Sequence, residues 1–395
     1  MPERKEGVVP RLRFPEFRDA GPWEVKRLGD KDVALFVRDT ATRKDLCVET
    51  YVSTENMLPD FGGVTRATSL PPSGTIRKYQ KRDILIANIR PYLKKVWQAD
   101  KAGAASNDVL VVRPSNTVDP RFLGLVLAND AFISFVMAGA KGVKMPRGDI
   151  TLIKQFPIPI PVQRKEQQRI ADCLSSLDEV IELEAQKLEA LKTHKKGLMQ
   201  LLFPREGETT PRLRFPEFRN AGEWEMKRLG ECLEYQQPTF FLVSDTNYSN
   251  SYNIPVLTAG KTFLLGYTNE KNGVFREPLP VIIFDDFTTA TKFVDFPFKV
   301  KSSALKILQA REGINIRFIY ELMQMISYKV GAHERHWISK FQPMFLPVPQ
   351  SKEQQKIADC LSSLDEVINL EAKKLEALKT HKKGLMQQLF PQEVD

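Results

Sequence analysis

The chain has 395 residues, 42% of them hydrophobic, which suits two or three domains with real cores. The four cysteines, Cys47, Cys173, Cys232 and Cys360, fall into no disulfide or zinc spacing, and no stretch reaches about 20 uninterrupted apolar residues, so a stapled secreted module and a membrane-spanning helix are excluded. The net charge of +9 is unevenly placed: residues 31–157 carry 19 Lys and Arg against 12 Asp and Glu, residues 232–346 carry 12 against 10, and the rest carries 27 against 27.

An excess confined to two segments suggests that each meets a polyanion, nucleic acid first among them. The opening Met1-Pro-Glu-Arg-Lys-Glu is polar with no apolar core behind it, which predicts no secretory leader and a reducing, cytoplasmic setting.

The first motif is Pro10-Arg-Leu-Arg-Phe-Pro-Glu-Phe-Arg18, which returns as residues 211–219. Behind it the chain reads as mixed α/β, with strands over Asp83–Ile89 and Val109–Val112 and a buried helix from Pro120 to Met137. Two basic clusters lie here: Asn88, Arg90, Lys94 and Lys95, then Lys141, Lys144 and Arg147 around Gly142. A glycine lets backbone approach a phosphate closely, Lys positions on phosphates, and Arg and Asn read base edges through paired hydrogen bonds. Pro157-Ile-Pro-Ile-Pro161 then predicts a rigid turn out of this domain.

Next comes the clearest helix. Ile170, Leu174, Leu177, Ile181, Leu188, Leu191, Leu198 and Leu202 recur in steps of three and four, a heptad seam interrupted by Glu184 and Lys195. Residues 165–204 return at 352–391 with four changes, Arg169 to Lys356, Glu182 to Asn369, Gln186 to Lys373 and Leu201 to Gln388. The second seam is Ile357, Leu361, Leu364, Ile368, Leu375, Leu378, Leu385 and Leu389, interrupted by Glu371 and Lys382. An antiparallel pair of these helices is expected to set Glu184 by Lys382 and Lys195 by Glu371.

Between the helices a second variable domain repeats the plan in different residues. Strands are expected at Pro280–Phe284 and Ala304–Leu308, a helix from Ile316 to Val330, and a proline exit at Pro347-Val-Pro349. Its DNA-contact candidates are Thr289, Thr291 and Lys292, then Arg335, His336, Trp337 and Lys340. His333 and His336 lack an acidic or Cys partner at ligand spacing, so no metal is expected.

The expected architecture is α+β: two α/β domains joined by a long antiparallel two-helix coiled coil, with a pseudo-twofold, cyclic repeat that brings the chain ends together. Its parts are 1–157, 158–204, 205–346 and 347–395. About 38 helical residues span roughly 57 Å, ample for DNA half-sites about 34 Å apart per turn.

No catalytic site is legible. There is no glycine-rich cofactor loop and no phosphate-binding Gly-Lys-Ser/Thr. Asn88-Ile-Arg-Pro-Tyr92 departs from the Asn-Pro-Pro-Tyr loop of adenine methyltransferases by one residue too many and a missing first proline.

The duplicated Leu-Arg-Phe-Pro-Glu-Phe entry, the Pro-Ile-Pro exit leading into Glu166-Gln-Gln-Arg-Ile-Ala171, the repeated helix ending Leu-Met-Gln-Leu-Leu-Phe-Pro204, and Asp83-Ile-Leu-Ile-Ala-Asn-Ile-Arg-Pro-Tyr92 together resemble the specificity subunits of type I restriction–modification systems. The resemblance implies two target-recognition domains, each reading half of an asymmetric, bipartite double-stranded DNA site. It implies helices that fix the spacer and dock two methyltransferase subunits, with restriction/translocase subunits added. S-adenosylmethionine, ATP and magnesium would belong to those partners, leaving this chain non-catalytic and without a cofactor. Two other classes predict different behaviour. A coiled-coil adaptor with protein-binding end domains would show no salt-sensitive duplex binding, and a stand-alone nucleic-acid enzyme would be active as the purified chain.

Overall fold

The computed structural model describes residues 7–391 except 43, 45, 72, 73, 143, 259–261 and 329–334. The chain divides into two compact units: residues 1–183 with 375–395, and residues 184–374. Each unit holds one variable domain and part of each repeated helix.

In the first unit the strands are β1 (Glu24–Arg27), β2 (Ala34–Phe36), β3 (Tyr51–Val52), β4 (Ile76–Tyr79), β5 (Ile84–Ala87), β6 (Val96–Gln98), β7 (Gly103–Ser106) and β8 (Val109–Pro114). Then follow α1 (Pro120–Leu127), α2 (Asp130–Ala138), α3 (Ile150–Ile153), β9 (Pro157–Ile160) and the long α4 (Arg164–Leu202). The main sheet runs β2-β8-β5-β6, with β5 and β8 antiparallel. Every residue of β5 is buried, because helices cover one face and a smaller sheet, β3-β7-β4, covers the other.

Two expectations change here. The helix foreseen over Pro120–Met137 is two helices bent by 60°, because Asn129 leaves the helical path and caps α2 by accepting from Ala131 N. The proline exit is a strand: β9 pairs antiparallel with β1, Val25 facing Pro159. Prolines at alternate positions leave Ile158 and Ile160 to donate to this two-stranded ladder.

The second unit contains β10 (Glu225–Arg228), α5 (Leu229–Cys232), β11 (Leu233–Gln236), β12 (Ile254–Leu257), β13 (Leu264–Thr268), β14 (Val281–Asp285), β15 (Thr291–Val294), β16 (Lys299–Val300), β17 (Leu305–Ala310), α6 (Ile316–Gln324), β18 (Phe345–Val348) and α7 (Ser351–Leu389). Its main sheet, β11-β17-β14-β15, repeats the order of the first. The small sheets differ. In the first unit β7 lies between β3 and β4, whereas in the second β12 lies between β13 and β16. The exit at Pro347 is again a strand, β18, paired with β10. α6 ends at Gln324, short of the expected Val330, which lies outside the described residues.

The repeated motifs make the same contacts in both units. Arg13 grips Glu166 at 2.7 and 2.8 Å, and Arg214 grips Glu353 at 2.7 Å to each oxygen. Gln167 takes Asp119 N and donates to Pro161 O, while Gln354 takes Asn315 N and donates to Pro349 O. Leu12 N donates to Gln388 O, and Leu213 N donates to Leu201 O. Phe390 packs on Phe122 and Phe203 on Phe318, at 5.6 and 5.5 Å between ring centres. The entry motif and the Glu-Gln-Gln helix start are therefore joints that fasten each domain to helix ends.

Within each unit the two long helices run antiparallel, and the predicted seam positions are buried or half-buried. In the first unit Asp178 pairs with Lys382. In the second, Glu184 pairs with Lys374 at 2.5 Å, Lys187 with Glu371 at 2.6 Å and Lys195 with Asp365 at 2.7 Å. The expected pairs, Glu184 with Lys382 and Lys195 with Glu371, are not made. The apolar helix ends set the register, with Leu174 clustered near Leu389 and Leu361 near Leu202, and the lysines reach whichever carboxylate that register brings close.

Candidate nucleic-acid interface

In the first domain the candidates sit on two adjoining loops. β5 ends at Ala87, and the chain turns through Arg90 and Lys94, both left-handed at φ 53° and 54°. Non-glycine residues rarely adopt this conformation, and here it is held by tertiary contacts. Arg90 N donates to Pro146 O at 2.8 Å, Gly148 N to Asn88 O at 3.1 Å, and Ile89 bridges Arg147. Lys141 and Arg147 close the second loop by exchanging backbone hydrogen bonds at 3.0 and 2.9 Å.

The predicted residues Asn88, Arg90, Lys141, Lys144 and Arg147 thus come together, but their side chains differ in availability. Lys141 pairs with Asp149 at 3.0 Å, and Arg147 pairs with Asp108. Lys94 is tied to Asp130 at 2.8 Å and Lys95 to Thr54 O at 2.6 Å, so both are drawn back toward the body of the domain. Among the described residues the exposed Arg90 and Lys144 carry no ion pair. Asn88 is buried at 5% exposure, and its Oδ1 has no partner among the described residues.

In the second domain the hairpin between β14 and β15 occupies the corresponding place. Asp285 accepts from Phe287 N and from the Thr288 hydroxyl, Thr289 turns at φ 60°, and Thr291 Oγ1 accepts from Gln324 at 2.7 Å. Lys292 is exposed, 6.0 Å over the Phe263 ring. Arg335 and Lys340 are exposed too. His336 and Trp337 are not: both are fully buried, with Trp337 edge-on to Phe284 at 5.2 Å. They cannot touch DNA as placed, which corrects their assignment, and His333 lies outside the described residues.

Sequence reasoning passed over Asp286. Its Oδ1 accepts from His336 N at 3.0 Å and Trp337 N at 2.8 Å, and Lys306 Nζ lies 3.4 Å from Oδ2. The available signal was its position, one residue beyond a buried strand, matching Asn88. Also unforeseen is a cleft of about 1330 Å³ lined in part by Lys196, Lys292, Arg317, Tyr320, Glu321 and Asp365. Burial pushes the Glu321 carboxyl above the usual range, against the pull of Lys195 and Arg317. Among the described residues no cluster of His, Cys, Asp and Glu could hold a metal, and no single helix is long and apolar enough to cross a membrane.

The model of the type I restriction–modification DNA specificity domain matches residues 68–193 and 221–380. The chain belongs to this family. The matched segments of this specificity protein contain both loop pairs and most of both long helices. It is 46% identical to the EcoR124I/EcoR124II specificity subunit of Escherichia coli over 132 residues, about a third of either chain. It is 25% identical to the MjaVIII specificity subunit of Methanocaldococcus jannaschii over 96% of this chain and 93% of that one. The fold is similar to the crystal structure of an S subunit from M. genitalium, with a TM-score of 0.66 and 15% identity over 98% of this chain and all of the other. A chain from a type I system studied for complex assembly gives 0.54 and 17%, over 94% and 98%.

Proposed function

We propose that this specificity protein reads an asymmetric, bipartite site on double-stranded DNA, one half with each variable domain. The observation that carries this reading is a shared sheet order, β2-β8-β5-β6 and β11-β17-β14-β15, that presents unlike loops at the same place. A common scaffold with different loop residues suits two different half-sites. Arg90, Lys144 and Arg147 would contact DNA in the first domain, and Thr289, Lys292, Arg335 and Lys340 in the second.

The functional parts are the recognition domains 1–157 and 205–346 and the spacer helices 158–204 and 347–395. The helices form an antiparallel coiled coil whose repeated ion pairs fit a pseudo-twofold, cyclic plan. Each also exposes a matching apolar pair, Val180 with Leu183 and Val367 with Leu370, at 42, 64, 41 and 65% exposure. A surface present twice suits two copies of one partner, here the methyltransferase subunit, with restriction/translocase subunits beyond. The chain supplies no catalytic group, and S-adenosylmethionine, ATP and magnesium belong to the partners.

Co-expression with the neighbouring methyltransferase genes, followed by long-read mapping of N6-methyladenine, tests this. A gapped motif with unlike halves, one of which changes when one variable domain is exchanged, is the expected result. A continuous or palindromic motif, or no new methylation from a purified stable complex, would overturn it.

A further inference from the structure

The residue one step past the central strand occupies the same node in both domains. In the first, Asn88 N donates to Asp108 O at 2.8 Å, and Asn88 O accepts from Gly148 N at 3.1 Å. In the second, Asp286 N donates to Ala304 O at 3.0 Å, and Asp286 O accepts from His336 N at 2.9 Å. Asp108 and Ala304 immediately precede the neighbouring strands β8 and β17. Gly148 follows the loop that carries Lys141, Lys144 and Arg147, and His336 lies between Arg335 and Lys340. Each node therefore stitches three segments together: the chain leaving the central strand, the start of the adjacent strand, and the residue beside the second group of basic candidates.

The side chains at the node differ. Asp286 is 1% exposed and accepts two backbone N–H groups at the start of the helical turn 337–341. Lys306, also 1% exposed, neutralises it from β17 and lies 5.4 Å from the Tyr235 ring centre. In the first domain the node holds a neutral Asn88, and Leu110 stands on β8 where Lys306 stands on β17. A Cβ on Gly148 would come within 2.7 Å of Asn88 Oδ1, so glycine is required where the second domain has histidine. The two nodes therefore share their backbone hydrogen bonds and differ in the side chain: Asn88 Oδ1 has no partner among the described residues, whereas the Asp286 carboxylate adds two hydrogen bonds of its own.

We propose that Asp286 is a positioning residue for recognition: its carboxylate fixes the start of the 337–341 turn, and with it Arg335 and Lys340, against the β14–β15 hairpin of the domain that reads one half-site, without touching DNA itself. The proposal rests on the reading above, in which each domain reads one half. Removing the Asp286 carboxylate frees the start of the 337–341 turn and loosens the placement of Arg335 and Lys340 against the hairpin. Recognition then relaxes in one half only, because the other domain keeps its own node.

The test uses the complete chain in complex with its methyltransferase subunits. Methylation rates are measured on duplexes carrying the wild-type motif and single mismatches in either half. D286A should lower the matched-to-mismatched ratio at least tenfold for the half assigned to the second domain and leave the other ratio unchanged. D286N with K306M keeps an acceptor oxygen and removes both charges, and it should recover most of the ratio; D286A with K306M should not. Reading ratios rather than rates removes a loss due only to less folded protein. Should D286A fail to fold, D286N alone keeps one acceptor oxygen and gives the same comparison, with a smaller fall in the ratio expected for the same half only. Unchanged ratios, or equal loss in both halves, would overturn the proposal. Absence of any motif with the wild-type complex would instead overturn the underlying reading.

Discussion

Arg214 meets both carboxylate oxygens of Glu353 at 2.7 Å, with the two side chains only 9% and 1% exposed. Its remaining nitrogen, Nη1, donates to Ala221 O at 2.6 Å. The entry motif is thereby fixed to the first turn of α7. A buried pair broken from one side leaves an uncompensated charge, so R214A or E353A should each destabilise the second unit by about 3–5 kcal/mol. Urea unfolding followed by tryptophan fluorescence measures this, since Trp224 lies in the apolar cluster against which Phe215, the next residue of the motif, packs.

The helix register makes a second prediction. Reversing Glu184 to Lys should weaken packing modestly, by less than about 1 kcal/mol, because Lys374 is half exposed. K374E should restore the loss in the double variant, while K382E should not. Thermal melts of the four proteins decide between the registers.

Tyr79 gives an alkaline signature. It is 2% exposed, its hydroxyl donates to Thr50 O at 2.7 Å, and burial pushes it up to about 12. A folded value raised above the unfolded one near 10 contributes stability that is whole below pH 10 and lost as pH rises through 12. That loss is about 3 kcal/mol at most. Y79F should cost about 1 kcal/mol at neutral pH and lose less stability than wild type between pH 9 and 12 in denaturant titrations.

Thiol chemistry separates the four cysteines. Cys47 is exposed and should react quickly with a disulfide reagent at pH 8. Burial, above all, pushes the Cys232 thiol up to about 11, so it should react only after unfolding. Cys173 and Cys360, half-buried at equivalent places, should react at similar intermediate rates. Mass spectrometry of timed labelling checks the order.

The long helices were legible in the sequence because a heptad period sustained over more than four repeats is a local signal. Their register was not, because it is decided where Phe203 and Phe390 dock into domains distant in sequence. The four central strands were legible as short apolar runs bounded by polar residues. The proline strands β9 and β18 were not, since their pairing with β1 and β10 spans more than a hundred residues. At the candidate site the sequence grouped Asn88 and Arg90 with Lys141, Lys144 and Arg147 by charge, and the structure brings those loops together. It misled at His336 and Trp337, where basic neighbours imitate a surface. Only the tertiary contacts with Asp286 and Phe284 reveal that both are enclosed.

The two units differ in how they draw on the chain. Residues 184–374 form one uninterrupted stretch, whereas the other unit joins residues 1–183 to 375–395. Leu12 must find Gln388, and Phe122 must find Phe390, across long stretches of intervening chain. During synthesis the later-made stretch can therefore close on itself as soon as it leaves the ribosome, while the domain translated first waits for the last helix turns. The half that emerges earliest is completed last.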